Sequence, residues 1–518
     1  IKLEPSSSIA YSNLGIEYSY IGDIKNAVFS YEKSIELNPN YPEAHNNLGQ
    51  VMQLEGKLDY AVSLYKRAVE LNPNYPEALF NLGNALYQKR DFEGAIKRYQ
   101  SSINLNPKLT MAYHNLGIVY KENKKYDDAV KVFQKAISID ETLKDAYLNI
   151  GNIFYEIKNY DKAIIFYKKC LKLYPNYKEV FNNLGNVYRD MGLMKKAISH
   201  YHRCISIDDK FYYAYCNIGK LHQWLDNHKL ARNYYFEALN INPQHLETLS
   251  NLGILLQIEG EIREAHNIFK KCVKIRPDFP DANLNLAYIQ LLIGDYKNGW
   301  VNYEWRTKTK EPLLVHSQPK SKKWDGNGPL SRNKLIVISE QGLGDNFQFM
   351  RYIPYMNKRG FDIIYCVPKK LHSLIISSNI TCNPITLQKG SLIEEFQWIS
   401  IMNLPKILKV NSSSPLVDKP YLFAPNELIK KWENIFQREH KPVIGINWQG
   451  NPKAEKENLK GRSIPLIEFL NIASDNFKFL SLQKGYGSEQ LKNKYNKNFV
   501  HFQNEVNKVM DFSEIAAI

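Results

Sequence analysis

Residues 42–75 read PEAHNNLGQVMQLEGKLDYAVSLYKRAVELNPNY, and residues 76–109 follow with PEALFNLGNALYQKRDFEGAIKRYQSSINLNPKL. The second segment keeps an asparagine, a glycine, an alanine, a tyrosine and a proline at the places where the first has them. The same 34-residue period extends over most of the N-terminal part of the chain. A fixed period of about 20–50 residues predicts a repeat architecture, in which each unit buries its apolar face against its neighbours.

Four columns of residues carry the period. Glycine recurs at Gly15, Gly49, Gly83, Gly117, Gly151, Gly185, Gly219 and Gly253; alanine at Ala27, Ala61, Ala95, Ala129, Ala163, Ala197, Ala231 and Ala265; an aromatic residue at Tyr31, Tyr65, Tyr99, Phe133, Tyr167, Tyr201, Tyr235 and Phe269; and proline at Pro39, Pro73, Pro107, Pro175, Pro243 and Pro277. We expect glycine and alanine to face each other where the two helices of a unit cross, because only small side chains let the backbones approach. The aromatic residue should fill the groove against the next unit, and proline should end the second helix.

This period and these columns resemble the tetratricopeptide repeat, a family of helix pairs that stack into a right-handed superhelix. The resemblance covers residues 1–313, with the tail of an earlier unit, eight full units and a degenerate ninth in which Ala287 replaces the glycine. It implies an all-α superhelix whose concave face holds another polypeptide. We expect the aromatic residues 299–306 to form a capping helix that docks on the next domain.

An asparagine stands two residues before the glycine position of every unit. The column consists of Asn13, Asn47, Asn81, Asn115, Asn149, Asn183, Asn217, Asn251 and Asn285. It lies on the first helix of each unit, beside the packing stripe and toward the concave side. Since asparagine is a mediocre helix former, so regular a column needs a physical reason.

Two interpretations of this asparagine column remain open. Each amide could bond within its own helix pair and lock the array. Alternatively, the column could face a ligand, because an amide's two donors and one acceptor suit the backbone of an extended peptide. The column resembles the asparagine ladder of protein O-linked N-acetylglucosamine transferases, which implies protein or peptide binding in the superhelix.

The composition excludes several classes of function. The chain has 518 residues, a net charge of +15 and no apolar run near the ~20 residues that a membrane span needs. Its lysines are scattered, which disfavours a nucleic-acid partner in spite of the positive charge. Six cysteines without a C-x-x-C pair exclude a disulfide framework and the common zinc motifs. We therefore expect buried thiols and a cytoplasmic protein.

After a linker at residues 314–332, short apolar strands alternate with helices. Strands are predicted at residues 334–339, 361–367, 380–387, 441–448 and 478–483, and helices at residues 345–358, 371–377, 426–436, 464–473 and 488–495. This alternation predicts parallel, doubly wound α/β sheets. We assign two Rossmann-like domains, one at residues 333–436 and an incomplete one at residues 437–518.

A glycine loop, Gln341-Gly342-Leu343-Gly344, follows the first predicted strand. It lacks the third glycine of the dinucleotide fingerprint and the Gly-Lys-Ser/Thr of a Walker loop. Asp345 then stands at the carboxyl end of a strand, where open α/β sheets bind ligands, and at the start of a helix, where aspartate often caps. On spacing alone, capping and catalysis both remain open.

Several motifs in this region are similar to those of the heptosyltransferase-like (family nine) glycosyltransferase domain. They are EQGLGDNFQFMRYIP at residues 340–354, IGINWQGNP at 444–452, GRSIPL at 461–466 and SLQKG at 481–485. The resemblance implies a GT-B fold, in which two Rossmann-like domains face each other across a cleft. The second of these domains would hold most of a nucleotide-sugar donor.

The same resemblance implies roles for individual residues. Asp345 matches the general base that takes a proton from the acceptor hydroxyl, with inversion at the anomeric carbon. The implied donor-binding residues are Gly342, Gly344, Trp448, Gln449, Gly450, Lys453, Arg462, Gln483 and Lys484. Because the chain has no Asp-x-Asp pair, we expect no metal, and no cofactor other than the nucleotide-sugar co-substrate.

These resemblances predict an inverting, metal-independent glycosyltransferase whose repeats bind a protein or peptide acceptor. The alternative is a non-catalytic scaffold for protein–protein interaction with a vestigial transferase domain. The first residues read as the end of an earlier repeat, and the Asp-Thr and His-Leu-Ala-Gly segments that complete the family's donor pocket are absent. We therefore expect the sequence to be a fragment at both ends.

Overall fold

The computed structural model describes residues 6–313, 315–327, 333–412, 420–447, 464–484, 488–491 and 496–518. Contacts divide the chain into two compact units, Ile1–Leu255 and Leu256–Ile518. Within the described residues, no helix has both the length and the apolar character that crossing a membrane requires.

The first unit is a series of helix pairs in which the first helix has 13 residues and the second has 14. The helices are α1 Ser8–Tyr20, α2 Ile24–Leu37, α3 Pro42–Leu54, α4 Leu58–Leu71, α5 Pro76–Gln88, α6 Phe92–Leu105, α7 Thr110–Glu122, α8 Tyr126–Ile139, α9 Lys144–Glu156, α10 Tyr160–Leu173, α11 Lys178–Asp190, α12 Met194–Ile207, α13 Tyr212–Trp224, α14 His228–Ile241 and α15 Leu246–Ile258. In many pairs the turn between the two helices contains a residue with a left-handed backbone conformation, such as Gly22 with a φ of 78°. The helix pairs predicted from the period are confirmed.

The glycine of each pair makes room for an aromatic ring. A Cβ placed on Gly151 would lie 2.4 Å from Cε1 of Tyr167, which belongs to the second helix of the same pair. The same conflict, at 2.4–2.8 Å, arises for Gly15 with Tyr31, Gly49 with Tyr65, Gly83 with Tyr99, Gly117 with Phe133, Gly185 with Tyr201 and Gly219 with Tyr235. This contact of the ring with the glycine of its own pair was not predicted. The predicted approach of glycine to alanine is seen at Gly219, where an added Cβ would lie 3.3 Å from the carbonyl oxygen of Ala231. The ring packs within its own pair.

The second unit begins with helices that continue the repeat pattern. They are α16 Ile262–Ile275, α17 Pro280–Leu292 and α18 Tyr296–Asn302, followed by a 3₁₀ helix at Tyr303–Thr307. Tyr303 belongs to the same buried cluster as Leu335 and Val337 of the first strand, and the ring of Trp300 lies 6.1 Å from that of Phe349. The predicted docking of this aromatic segment on the α/β region is confirmed.

A parallel four-stranded sheet follows. Its strands are β1 Lys334–Ile338, β2 Asp362–Cys366, β3 Asn383–Ile385 and β4 Trp398–Ser400, in the order β3-β2-β1-β4. The helices around it are α19 Leu343–Phe349, α20 Ile353–Lys358, α21 His372–Ser377, α22 Leu387–Ser391 and α23 Leu404–Ile407. Short apolar runs predicted the first three strands, whereas β4 was not predicted.

The helix predicted at residues 345–358 is broken. A 3₁₀ turn at Met350–Tyr352 separates α19 from α20, and Pro354 lies at the start of α20. Proline has no N–H to continue a helix and clashes with the preceding turn, which explains the break.

A second parallel pair of strands lies in the last part of the chain. It consists of β5 Val443–Ile446 and β6 Lys478–Ser481. The helices are α24 Asn426–Phe436, α25 Leu466–Leu470, α26 Gln503–Lys508 and α27 Phe512–Ala517, with 3₁₀ turns at Ser488–Leu491 and Asn496–Asn498. The α/β region thus contains small parallel sheets among helices, as the alternation predicted. A complete GT-B fold stays a prediction.

The segment assigned as a linker packs against the first sheet. Val315 forms an isolated bridge with Glu340, and Lys323 forms one with Trp398. Trp324 is 4% exposed and joins the core of the sheet. The described part of this segment is therefore a structural element of the second unit.

Candidate functional site

The first sheet has a crevice at the carboxyl ends of β1 and β4. The chain passes from β1 to β2 and β3 on one side of β1, and then returns to β4 on the other side. Open α/β sheets bind their ligands at such a switch point. Glu340 and Ser400 lie here, at the ends of β1 and β4, and both are buried.

Arg306, from the 3₁₀ helix after α18, occupies this crevice. Its Nε donates to Oε1 of Glu340 at 2.7 Å and its Nη2 to Oε2 at 2.9 Å. Nη2 also reaches Oδ1 of Asn403 at 3.3 Å, and the Ser400 hydroxyl donates to Glu340. Burial opposes the charge of Arg306, but the bonds to Glu340 and its negative charge outweigh burial and raise the pKa of Arg306. The result is a dry, bidentate ion pair, to which sequence reasoning gave no role.

Asp345, the predicted general base, lies in the first turn of α19 and is half-buried. Its Oδ2 accepts a hydrogen bond from the Gly342 N–H at 2.9 Å, so the capping interaction is present. Gly342 and Gly344 are exposed, and nothing lies within 4 Å of a Cβ placed on Gly344. The loop backbone is consequently open to a ligand on this side.

The other predicted donor-binding residues divide into two groups. Gln483 and Lys484 follow β6; Gln483 is buried, and the Lys484 Nζ donates to the Val506 carbonyl oxygen. Burial lowers the pKa of Lys484. The remaining five, Trp448, Gln449, Gly450, Lys453 and Arg462, lie outside the described residues.

The asparagine column forms a row along the first unit, from Asn13 to Asn251. The first helices of neighbouring pairs lie side by side, as α1 does with α3 and α3 with α5. Asn13 is exposed and the later members are half-buried. In the second unit, Asn285 of α17 is half-buried as well.

Amides of this column bond to the preceding helix pair. In each bond the Nδ2 of a column asparagine donates to the Oδ1 of an asparagine in the preceding pair. The bonds run from Asn81 to Asn46 at 3.0 Å, from Asn115 to Asn84 at 2.8 Å, from Asn183 to Asn152 at 2.8 Å and from Asn217 to Asn182 at 2.9 Å. The structural interpretation from sequence assumed bonds within one pair, whereas these bonds connect neighbouring pairs. Each of them uses one N–H of the column asparagine.

The acceptors of two of these bonds also accept from tyrosines of the aromatic column. The Tyr99 hydroxyl donates to Asn84 Oδ1 at 2.7 Å, and the Tyr167 hydroxyl donates to Asn152 Oδ1 at 2.7 Å. In the pair that carries Phe133, which has no hydroxyl, the residue after the glycine is Ile118. In other pairs the acceptor is a different residue, since Tyr65 and Tyr235 donate to Gln53 and Gln223, four residues after the glycine.

The column belongs to a wider surface, which we call the first-helix face. It consists of the side chains six, three and two residues before each repeat glycine and one, four and five residues after it. At 100° per residue these positions share one side of a helix. Contacts between successive pairs connect them: Gln53 Nε2 to Gln88 Oε1 at 3.0 Å, Lys121 Nζ to Asn149 Oδ1 at 2.9 Å, and Tyr155 hydroxyl to Asp190 Oδ2 at 2.6 Å.

Comparison with known proteins identifies the repeats. Family models described as tetratricopeptide repeat match residues 109–176, 179–211 and 211–278, and one described as TPR repeat matches residues 15–56, 54–89 and 83–124. The first half of the chain is a tetratricopeptide-repeat array. As such it is a scaffold for protein–protein interaction, whose partners are proteins or peptides.

Several solved structures are similar to this chain. MamA is 28% identical over 33% of this chain and 94% of its own, with a TM-score of 0.31. PilF of Pseudomonas aeruginosa is 22% identical over 40% of this chain and 94% of its own, with a TM-score of 0.36. YrrB, described as a TPR protein with an unusual peptide-binding site, is 20% identical over 36% of this chain and 95% of its own, with a TM-score of 0.32. No curated protein matches the chain.

Proposed function

We propose that the tetratricopeptide array binds an extended polypeptide along the first-helix face, through the asparagine column. The observation that supports this is the way the column amides are held. Each inter-pair bond fixes the orientation of an amide and uses one of its two N–H groups. A second N–H and oxygen lone pairs remain, and these match the carbonyl and N–H groups of a peptide backbone whatever its sequence.

Photo-crosslinking tests where a polypeptide binds. Gln50 is exposed on the first-helix face, and Lys66 is exposed on the second helix of the same pair. We expect Gln50→benzoylphenylalanine to crosslink to short unstructured peptides, with mass spectrometry locating the adduct. Lys66→benzoylphenylalanine, the matched control, should crosslink little. Equal crosslinking from both positions would contradict the proposal.

We further propose that the α/β region is an inverting, metal-independent glycosyltransferase of the heptosyltransferase-like type, acting on a hydroxyl of the bound polypeptide with a nucleotide sugar as donor. Asp345 supports this, because its carboxylate stands beside an open glycine loop after the central strand of a parallel sheet. It would accept the proton of the attacking hydroxyl, and the exposed loop backbone leaves room for a diphosphate. Its bond to Gly342 uses one carboxylate oxygen and leaves the other available.

The Asp345→Asn variant tests this second proposal. Asparagine keeps an oxygen for the Gly342 N–H but cannot act as a base, so we expect release of nucleoside diphosphate from a panel of nucleotide sugars to fall by about 10²–10⁴-fold. Asp325→Asn, at an exposed site, is the control. Unchanged turnover in Asp345→Asn would refute the base assignment.

A non-catalytic scaffold with a vestigial transferase domain is the second candidate function. The Arg306–Glu340 pair supports it, because both residues are fully satisfied inside the crevice where such sheets bind ligands. Under this function the wild-type protein would bind peptides yet turn over no nucleotide sugar in the same assay.

We also propose a cytoplasmic location. All six cysteines are free thiols, and five of them, Cys170, Cys204, Cys216, Cys272 and Cys366, are buried. Burial raises the pKa of Cys170 to about 11, which keeps its thiol protonated and unreactive. Thiols used as small core side chains are typical of proteins in reducing compartments.

A further inference from the structure

The first-helix face is acidic, although the chain as a whole carries a net charge of +15. In the first unit its carboxylates are Glu43, Glu77, Glu122, Asp145, Glu156, Glu179, Asp190 and Glu247, and its only Lys or Arg side chains are Lys121, Arg189 and Lys220. The charge of this surface is thus opposite to that of the molecule. Most of the positive charges lie elsewhere on the chain.

Most of these carboxylates form no ion pair within the described part of the chain. Arg189 pairs with Asp190 at 2.8 Å, and Lys220 pairs with Glu247 at 2.9 Å. Lys121 donates to an asparagine. Among the described residues, none of the other six carboxylates forms an ion pair.

Neutral hydroxyls hold some of these carboxylates in position. The Tyr87 hydroxyl donates to Glu122 at 2.5 Å, and the Tyr177 hydroxyl donates to Asp145 at 2.7 Å. Burial and the bond to Glu122 raise the pKa of Tyr87 to about 12, so this hydroxyl keeps its proton. Such bonds orient a carboxylate without neutralising it.

The carboxylates form two rows with the asparagine column between them. One row stands six residues before the repeat glycine, as Glu43, Glu77 and Glu179 do, and the other stands five residues after it, as Glu122 and Glu156 do. The asparagines stand two residues before the glycine. With a rise of about 1.5 Å per residue, the rows lie about 6 Å and about 10 Å from the column along each helix axis.

From this arrangement we propose that the partner of the array is a basic polypeptide, an extended segment rich in lysine and arginine. The inference rests on the proposed peptide binding along the asparagine column. Side chains of an extended strand point alternately to its two sides, so basic side chains reach both rows while the backbone contacts the column. Acidic segments and nucleic acids are repelled by the same charges.

Peptide binding measured by fluorescence anisotropy on the full chain tests this inference. The probes are three unstructured peptides of equal length in which a Gly/Ser background carries pairs of consecutive Lys, Gln or Glu residues, so that both sides of the extended strand bear the test side chain. We expect the Lys peptide to bind at least about tenfold more tightly than the Gln peptide, and the Glu peptide to bind more weakly still. Added salt should weaken the Lys peptide most, because it screens exposed charges.

Two triple variants with the same change in net charge locate the effect. Glu122→Gln, Glu156→Gln and Glu179→Gln together should reduce affinity for the Lys peptide by about tenfold. Glu32→Gln, Glu93→Gln and Glu237→Gln, at exposed sites on second helices, should change it by less than about twofold. Equal losses in the two variants would overturn the inference.

The remaining outcomes separate this inference from the proposed function. If the Lys and Gln peptides bind equally and both crosslink from position 50, the peptide site stands and its preference for basic partners is wrong. If no peptide crosslinks there at all, the peptide site itself is wrong. A polyamine that displaces the Lys peptide from the wild-type protein, but not from the variant with Gln at positions 122, 156 and 179, would support the role of these carboxylates.

Discussion

Replacing Gly151 with alanine is expected to destabilise the fifth repeat by about 1–3 kcal/mol. In an ordinary helix this change stabilises by about 0.5–1 kcal/mol, because glycine loses more backbone freedom on folding. Here the added Cβ would lie 2.4 Å from a carbon of the Tyr167 ring, which is fully buried and cannot retreat. Overpacking therefore outweighs the gain in helix propensity.

Hydrogen exchange of peptides from α9 and α10 measures the effect locally, which suits a chain of several units that does not unfold in one step. The control is the same substitution in a Tyr167→Ala background. With the ring removed, Gly151→Ala should become neutral or stabilising. A destabilisation of the same size in both backgrounds would contradict the assigned contact.

The second large effect is expected at Arg306. Arg306→Met should destabilise the α/β region by about 3–5 kcal/mol, because it leaves the Glu340 carboxylate buried without a partner. The side chains of the two residues are 1% and 0% exposed, so solvent cannot replace the lost bonds. Hydrogen exchange of β1 measures the loss.

Two controls separate the cost of leaving a buried charge unpaired from the cost of losing the packing of the Arg306 side chain. Adding Glu340→Gln to Arg306→Met removes the stranded charge while keeping an acceptor for Ser400, and should recover most of the stability. Lys320→Met removes an ion pair of 2.7 Å with Glu394, but those side chains are 70% and 62% exposed, so the loss should be about 0–1 kcal/mol. If Lys320→Met and Arg306→Met reduced stability by similar amounts, burial would not be the cause of the large effect expected at Arg306.

Much of the fold followed from patterns that lie within short stretches of sequence. The 34-residue period predicted the helix pairs, and apolar runs between turns predicted β1, β2, β5 and β6 near their observed positions. What the period did not reveal was which residues of two columns touch. Gly151 and Tyr167 are 16 positions apart, and only the crossing of the two helices brings them together.

The candidate sites were less predictable, because they depend on contacts between distant segments. Arg306 and Glu340 are 34 residues apart, and Arg306 and Asn403 are 97 apart. No local pattern distinguishes such a buried pair from surface charges. The column asparagines were found from their spacing, yet their bonds to the preceding pair required the stacking of successive first helices.

One paired comparison tests directly whether the asparagine column binds a polypeptide. Asn115→Ala with Asn183→Ala removes two column amides, whereas Asn84→Ala with Asn152→Ala breaks the same two inter-pair bonds and leaves those amides in place. The second variant also removes the acceptors of Tyr99 and Tyr167, so it should cost at least as much stability.

Peptide affinity and hydrogen exchange should be measured on both variants. We predict that the Asn115/Asn183 variant binds peptide about 10- to 30-fold more weakly, as expected for two lost hydrogen bonds of about 1 kcal/mol each. The Asn84/Asn152 variant keeps the column amides and loses only the bonds that orient them, so its affinity should fall by no more than about threefold. If the Asn84/Asn152 variant instead lost as much affinity as the Asn115/Asn183 variant, or more, in step with its loss of stability, the column would only lock the array.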